Sequence, residues 1–137
     1  MHKYQYVNKL GQIHNYLGIL DTSQDPRHFS SEPLMRICSN KSDLASLLGV
    51  QRTQLYQKTL PLKKGTKLRS RIIHLVMATD LVYELMGNDE NKTIDWLTTP
   101  NTFLFGDSPL EVIMRDEGKA IISWLQEMLG KKPGAAF

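Results

Sequence analysis

The chain holds one cysteine in 137 residues, Cys38. A lone thiol closes no internal disulfide and has no partner for a Cys-x-x-Cys metal or redox pair, so it reads as a small apolar side chain. Long hydrophobic runs are also missing. No stretch approaches the roughly 18 apolar residues of a membrane span, and the opening MHKYQYVNK lacks the apolar segment of a secretory leader. A cytoplasmic protein with no membrane partner is therefore expected. Catalytic patterns are equally scarce. His2, His14, His28 and His74 are scattered without metal-ligand spacing, no glycine-rich phosphate loop follows a strand, and no base is placed beside Cys38. Asp21, Asp25 and His28 share a polar segment without a further ligand motif and read as solvated polarity. Asp116 and Glu117 stand together where a helix starts, and there they suit the helix dipole. The expectation is a non-enzyme without metal or cofactor.

What is present is an uneven distribution of charge. The length suits one domain, or two subdomains sharing an interface, and 41% hydrophobic residues suffice for a core. The net charge of +3 hides an asymmetry. From Leu44 to Thr79 there are seven basic residues (Arg52, Lys58, Lys63, Lys64, Lys67, Arg69, Arg71) and no acidic one. From Asp80 to Glu117 nine acidic residues face only Lys92 and Arg115. Such segregation suggests a polyanion as client of the first half and something different for the second, the simpler alternative being attraction between the halves.

Periodicity then places the elements. Val7, Leu10, Ile13, Leu17 and Leu20 recur at helical spacing, weakened by Gly11 and Gly18. The segment DTSQDPRHFSSEP reads as a linker or surface loop. In NKSDLASLLGVQRTQLYQK, Asn40 or Ser42 can cap a helix whose inner face is Leu44, Leu47 and Leu48, with Ala45 small enough for close approach. Gly49 stops it, Val50 plugs the corner, and a second helix is expected from about Gln51 with Leu55 inward: the helix-turn-helix pattern. Lys58 departs from that pattern, standing where an aliphatic is usual, and Tyr56 or Leu60 would fill the space. The outward residues Gln51, Arg52, Thr53, Gln54, Gln57 and Lys58 are of types that read base edges or hold phosphates, and Lys63 and Lys64 follow as phosphate clamps. A long helix follows, with Leu68, Ile72, Leu75, Val82 and Met86 on one stripe, Ile73, Val76, Leu81 and Leu85 beside it, and His74 as an ordinary helical histidine. Gly87 and Asn88 end it.

Beyond it come several short elements. Ile94, Trp96 and Leu97 belong to a helix that stops before Pro100, because a residue preceding proline is driven from the helical region. Phe103, Leu104 and Phe105 make one turn closed at Gly106. Ser108-Pro109-Leu110-Glu111 is a complete helix-start signal, serving about two turns through Leu110, Val112, Ile113 and Met114. Asp116 can cap the last helix, whose inner stripe is Ile121, Leu125 and Met128, and which Gly130 and Pro133 end.

In this order and spacing, Trp96-Leu97, Pro100-Asn101, Leu104-Phe105-Gly106, Ser108-Pro109-Leu110 and Glu117-Gly118 resemble the toxin-binding domain of the Xre/MbcA/ParS antitoxins. The resemblance covers about residues 68–129 and, with the preceding helix-turn-helix, some two thirds of the chain. It implies an all-α, dimeric antitoxin that blocks the cleft of a cognate toxin, commonly of the NAD-consuming RES type, and represses its own operon by binding operator DNA. It further implies toxin contact on the last helix and on the tail Gly130, Lys131, Lys132, Pro133, Gly134, Ala135, Ala136 and Phe137. The motif residues Trp96, Leu97, Pro100, Asn101, Leu104, Gly106, Pro109 and Gly118 would mainly shape the domain. The expected organisation is an arm and linker over 1–38, the helix-turn-helix over 39–67 and the toxin-binding domain over 68–137. The rival reading is a stand-alone regulator whose acidic half only dimerises.

Overall fold

A computed structural model describes residues 15–21 and 26–130. Its fold is all-α apart from one two-stranded ribbon. In chain order come β1 (His28–Phe29), a 3-10 turn Pro33–Arg36, α1 (Lys41–Leu48), a 3-10 turn Arg52–Tyr56 and β2 (Leu60–Pro61). They are followed by α2 (Lys67–Leu85), α3 (Glu90–Thr98), a 3-10 turn Thr102–Leu104, α4 (Pro109–Val112), a wide turn Ile113–Glu117 and α5 (Gly118–Met128).

Local chemistry sets most of these boundaries. The Asn40 side chain accepts from the Asp43 N–H at 3.0 Å, and Gly49 closes α1 at φ 72°, a left-handed conformation that costs a residue with a Cβ about 1 kcal/mol or more. Thr66 caps α2, Asp89 caps α3, and Ser108 with Glu111 forms the reciprocal box that starts α4 with Pro109 at its first turn. The nineteen residues of α2 bury Ile72, Ile73, Leu75, Val76, Met77, Ala78 and Val82. So broad an apolar surface needs cover on several sides. The largest cover is α5, which packs along α2 more extensively than any other pair of elements and contributes Ile121, Ile122 and Leu125.

Two features fix how α5 meets α2. Gly118 lies so close to α2 that a Cβ there would stand 2.7 Å from the His74 Cβ. Just before it the chain kinks, with Arg115 outside helical dihedrals and Asp116 at φ 67°. Asp116 therefore does not cap α5, as its position suggested. Its carboxylate turns to Arg71 instead, accepting from Nε at 2.8 Å and from a terminal nitrogen at 3.1 Å. That bidentate bond holds the Asp116 carboxyl below the usual range. Burial, and Lys119 nearby, push the His74 imidazole down, so neutral His74 serves as packing.

The amino-terminal expectations change. Val7, Leu10 and Ile13 lie outside the described residues, but Leu17 and Leu20 are not on a helix: Leu17 sits in a turn and Leu20 forms a bridge to Phe29. The supposed linker is likewise structural. His28 and Phe29 pair antiparallel with Pro61 and Leu60, and Phe29 is completely buried, a gain of about 2–3 kcal/mol. Two-residue strands carry no sequence period, which is why the pairing was not legible.

Tyr16 ties this segment to α2. Its ring stacks on Tyr83 with centroids 3.9 Å apart, and its N–H donates to Asp80 at 3.4 Å. Burial pushes the Asp80 carboxyl up to about 8, and burial likewise pushes the Tyr16 hydroxyl up to about 12. A carboxyl raised in the fold binds its proton more tightly there than in the unfolded chain. Its contribution is complete below the ordinary value of 3.8 and is lost as pH rises to about 8. Urea unfolding from pH 5 to pH 8 is expected to show declining stability, by at most roughly 1.4 kcal/mol per pH unit from this group. Asp80→Asn should flatten that decline, and an unchanged slope would show that Asp80 does not titrate with folding.

Candidate functional site

Two exposed surfaces stand out, one cationic and one apolar. The first grows from the corner after α1. Gly49 turns the chain, and the segment from Gln51 carries Leu55 into the core, where the buried Ser31 hydroxyl donates to the Leu55 carbonyl at 3.1 Å. The expected second helix is a 3-10 turn of five residues, Arg52–Tyr56, ended by extended Gln57. It stops early because no aliphatic follows on its inner face: Lys58 is exposed, and Leu60, on β2, fills the space while Tyr56 points outward. The angled pair is present, but its second member is too short to lie along a groove as a rod.

Of the residues expected to face outward, Gln51, Arg52, Thr53, Gln54, Gln57, Lys58, Lys63 and Lys64 are all exposed. Gln54 is partly committed, however, because its side-chain oxygen accepts from the Gln51 N–H at 2.8 Å. It cannot present its full amide edge to an adenine while that bond lasts. The basic run also divides. Arg52, Lys58, Lys63, Lys64 and Lys67 are exposed. Arg69 is buried, with a guanidinium nitrogen 3.5 Å from the Pro26 carbonyl, and Arg71 is taken by Asp116. Attraction between the basic and acidic halves thus uses Arg71, while five cations stay on the surface.

The second surface is organised by Asn101. Its carbonyl accepts from the Leu104 and Gly106 N–H groups, both at 3.0 Å, its side chain accepts from the Phe103 N–H at 2.9 Å, and its own N–H donates to Asp107 at 3.0 Å. This closed loop displays two aromatic rings. Phe103 is 79% exposed, and Phe105, held at φ 57°, is 99% exposed. Between the loop and α5 runs an open groove of about 660 Å³, walled by Phe103, Leu104, Phe105, Ile121, Trp124 and Met128. Trp124 lies between Trp96 and Phe103, with ring centroids at 5.9 and 6.2 Å. At the rim, Arg115 donates to Asp107 and Glu117, each at 2.9 Å, and these bonds, that to Glu117 first, raise its pKa.

The motif residues thus divide by role. Leu97 and Pro109 are buried, Gly118 permits the α2–α5 approach, and Asn101, Leu104 and Gly106 build the loop. Trp96 supports Trp124, and Pro100 is exposed just before the loop. Of the tail, Gly130 ends α5 at φ 72°, while Lys131, Lys132, Pro133, Gly134, Ala135, Ala136 and Phe137 lie outside the described residues. Phe103, Phe105, Trp124 and Met128 were not foreseen as a surface. The available signal was two phenylalanines inside a turn bounded by Pro100 and Gly106, too short to bury both.

Among the described residues no group of three or more His, Cys, Asp or Glu could hold a metal, and no helix is long and apolar enough to cross a membrane. The Asp21 carboxylate lies 3.3 Å from His28 Nδ1 and accepts from the Arg27 N–H at 3.1 Å, and Asp25 lies outside the described residues. Comparison with protein-family models, with curated proteins and with solved structures finds no match to this chain.

If the loop is held by its backbone bonds and its aromatics serve something outside the fold, Asn101→Ala should cost about 1 kcal/mol and Phe105→Ser less than about 0.5 kcal/mol in chemical denaturation. The reverse order would mean that Phe105 stabilises its own molecule.

Proposed function

We propose that this chain is the antitoxin of a toxin–antitoxin pair: it binds and blocks a cognate protein toxin through its carboxy-terminal half and represses its operon through its basic surface. The observation that carries this reading is the presence of two exposed surfaces of different chemistry, exposed cations between Arg52 and Lys67 and an open apolar groove along α5. Contiguous apolar surface of this kind characterises protein-docking sites. Lysine and arginine without intervening carboxylates in the sequence suit a phosphate backbone, and four phosphates neutralised by Arg52, Lys58, Lys63 and Lys67 would give log K a salt slope of roughly −3.6.

The two activities need different chemistry. Arg52 and Lys58 supply charge to DNA from a turn pinned by Leu55, and Gln51, Thr53 and Gln57 add hydrogen bonds. The brevity of that turn favours backbone contact over an extended reading of bases. On the other surface, Phe103, Phe105 and Trp124 offer rigid apolar area to the toxin, and the tail Lys131 to Phe137, which the motif resemblance assigns to the toxin cleft, follows α5 in the chain. The resemblance points to a RES-type toxin that consumes NAD, and to a homodimer as the functional unit.

Co-expression with the product of the adjacent reading frame tests the proposal. The wild-type chain should protect cells and bind the promoter fragment. Phe103→Asp/Phe105→Asp, or deletion of Lys131 to Phe137, should abolish protection and spare DNA binding; Arg52→Ala/Lys58→Ala should do the reverse. Parallel loss of both activities in folded variants, or an adjacent product that is harmless when expressed alone, would overturn it.

A further inference from the structure

Four large apolar side chains are exposed among the described residues: Tyr56, Phe103, Phe105 and Met128. The last three line the groove beside α5. Tyr56 alone belongs to the cationic surface, where it is 65% exposed. The core does not hold its ring, yet the backbone beneath it is fixed, because neighbouring Leu55 is buried and its carbonyl accepts from Ser31 at 3.1 Å. What the ring does touch is Lys41, whose Nζ lies 4.6 Å from the ring centroid.

We infer that Lys41 is a further phosphate-contacting residue of the basic surface and that Tyr56 is its positioning residue, an inference that rests on the nucleic-acid reading above. Lys41 opens α1, the helix before the turn, and so falls outside the basic run that starts at Arg52. The ring contact joins its charge to that surface. No described carboxylate forms an ion pair with Lys41. Asp43, the one carboxylate on α1, stands two residues away, a spacing at which helical side chains do not face each other. A cation over an exposed aromatic face is held by only about 0.5–1 kcal/mol, too little to immobilise it but enough to bias a flexible four-carbon stem. A phosphate oxygen can therefore take the ammonium's free donors while the ring still supports the opposite side. The cationic surface then gains one more charge, from α1, which packs on the turn that carries Arg52.

The test is a titration of the full-length protein against a fluorescein-labelled duplex of about 30 base pairs, repeated at several salt concentrations. Lys41→Gln should weaken binding several-fold and reduce the magnitude of the salt slope by about 0.9, the value for one phosphate contact. Tyr56→Phe should match wild type, because the ring face is kept. Tyr56→Ala should weaken binding about two- to threefold with the slope preserved, since the charge remains but is no longer steered. Circular dichroism confirms the fold of each variant. A wild-type slope in Lys41→Gln, or wild-type affinity in Tyr56→Ala, overturns the pairing while leaving the nucleic-acid reading intact. Failure of the wild-type protein to bind the duplex, or its own promoter fragment, overturns both.

Discussion

The approach of α5 to α2 at Gly118 is the constraint on which the remaining structure depends. A hydrogen in place of a side chain lets the backbone of α5 rest against His74, and the kink at Arg115 and Asp116 turns the chain into that position. Without this apposition the apolar surface of α2 would lose its largest cover, and Ile121, Ile122 and Leu125 would have no partner. The Arg71–Asp116 bond adds direction more than energy. Both partners are partly solvated, so its net worth is small, but its bidentate geometry fixes the residue just before the kink resumes as helix.

Both exposed surfaces inherit their shape from this packing. The amino-terminal part of α2 carries Arg71 and receives the corner after α1, where a Cβ added at Gly49 would lie 3.3 Å from an Arg71 nitrogen. The far side of α5 leaves Met128 exposed and Trp124 half-buried, and the Asn101 loop folds beside them. Short elements suit this arrangement because none is stable alone. Each ends where a cap or a left-handed residue directs it, and the turns between them can aim side chains away from the core. Phe105 is the clearest case: its backbone conformation is one that side chains disfavour, and its ring is exposed.

Where a feature depended on local chemistry, the sequence was a good guide. Asn40, Gly49 and the Ser108–Glu111 pair act over three or four residues, and the α2 stripe spans enough turns for its period to be unmistakable. Features set by distant contacts were hidden. Phe29 looked like part of a loop because its partner Leu60 lies 31 positions away, and Arg69 looked like a surface cation until the segment around Pro26 covered it. The second helix of the pair near Gly49 was overextended for a related reason: Lys58 already signalled that the inner face was running out, but only the β1–β2 ribbon shows what takes its place. The acidic half likewise announced its loop through Pro100, Asn101 and Gly106, without announcing that two phenylalanines would point outward.

The most direct measurement is the unfolding free energy of Gly118→Ala beside that of Gly118→Ala/His74→Ala. A methyl group 2.7 Å from the His74 Cβ must force the helices apart or displace that residue, at a cost of about 1–3 kcal/mol. Shortening His74 leaves its Cβ in place but frees the space of the ring. The account predicts a clear loss in the single variant and partial recovery in the double, measured against His74→Ala alone. A Gly118→Ala protein as stable as wild type would contradict it, because α5 would then not depend on the close approach that orders both surfaces.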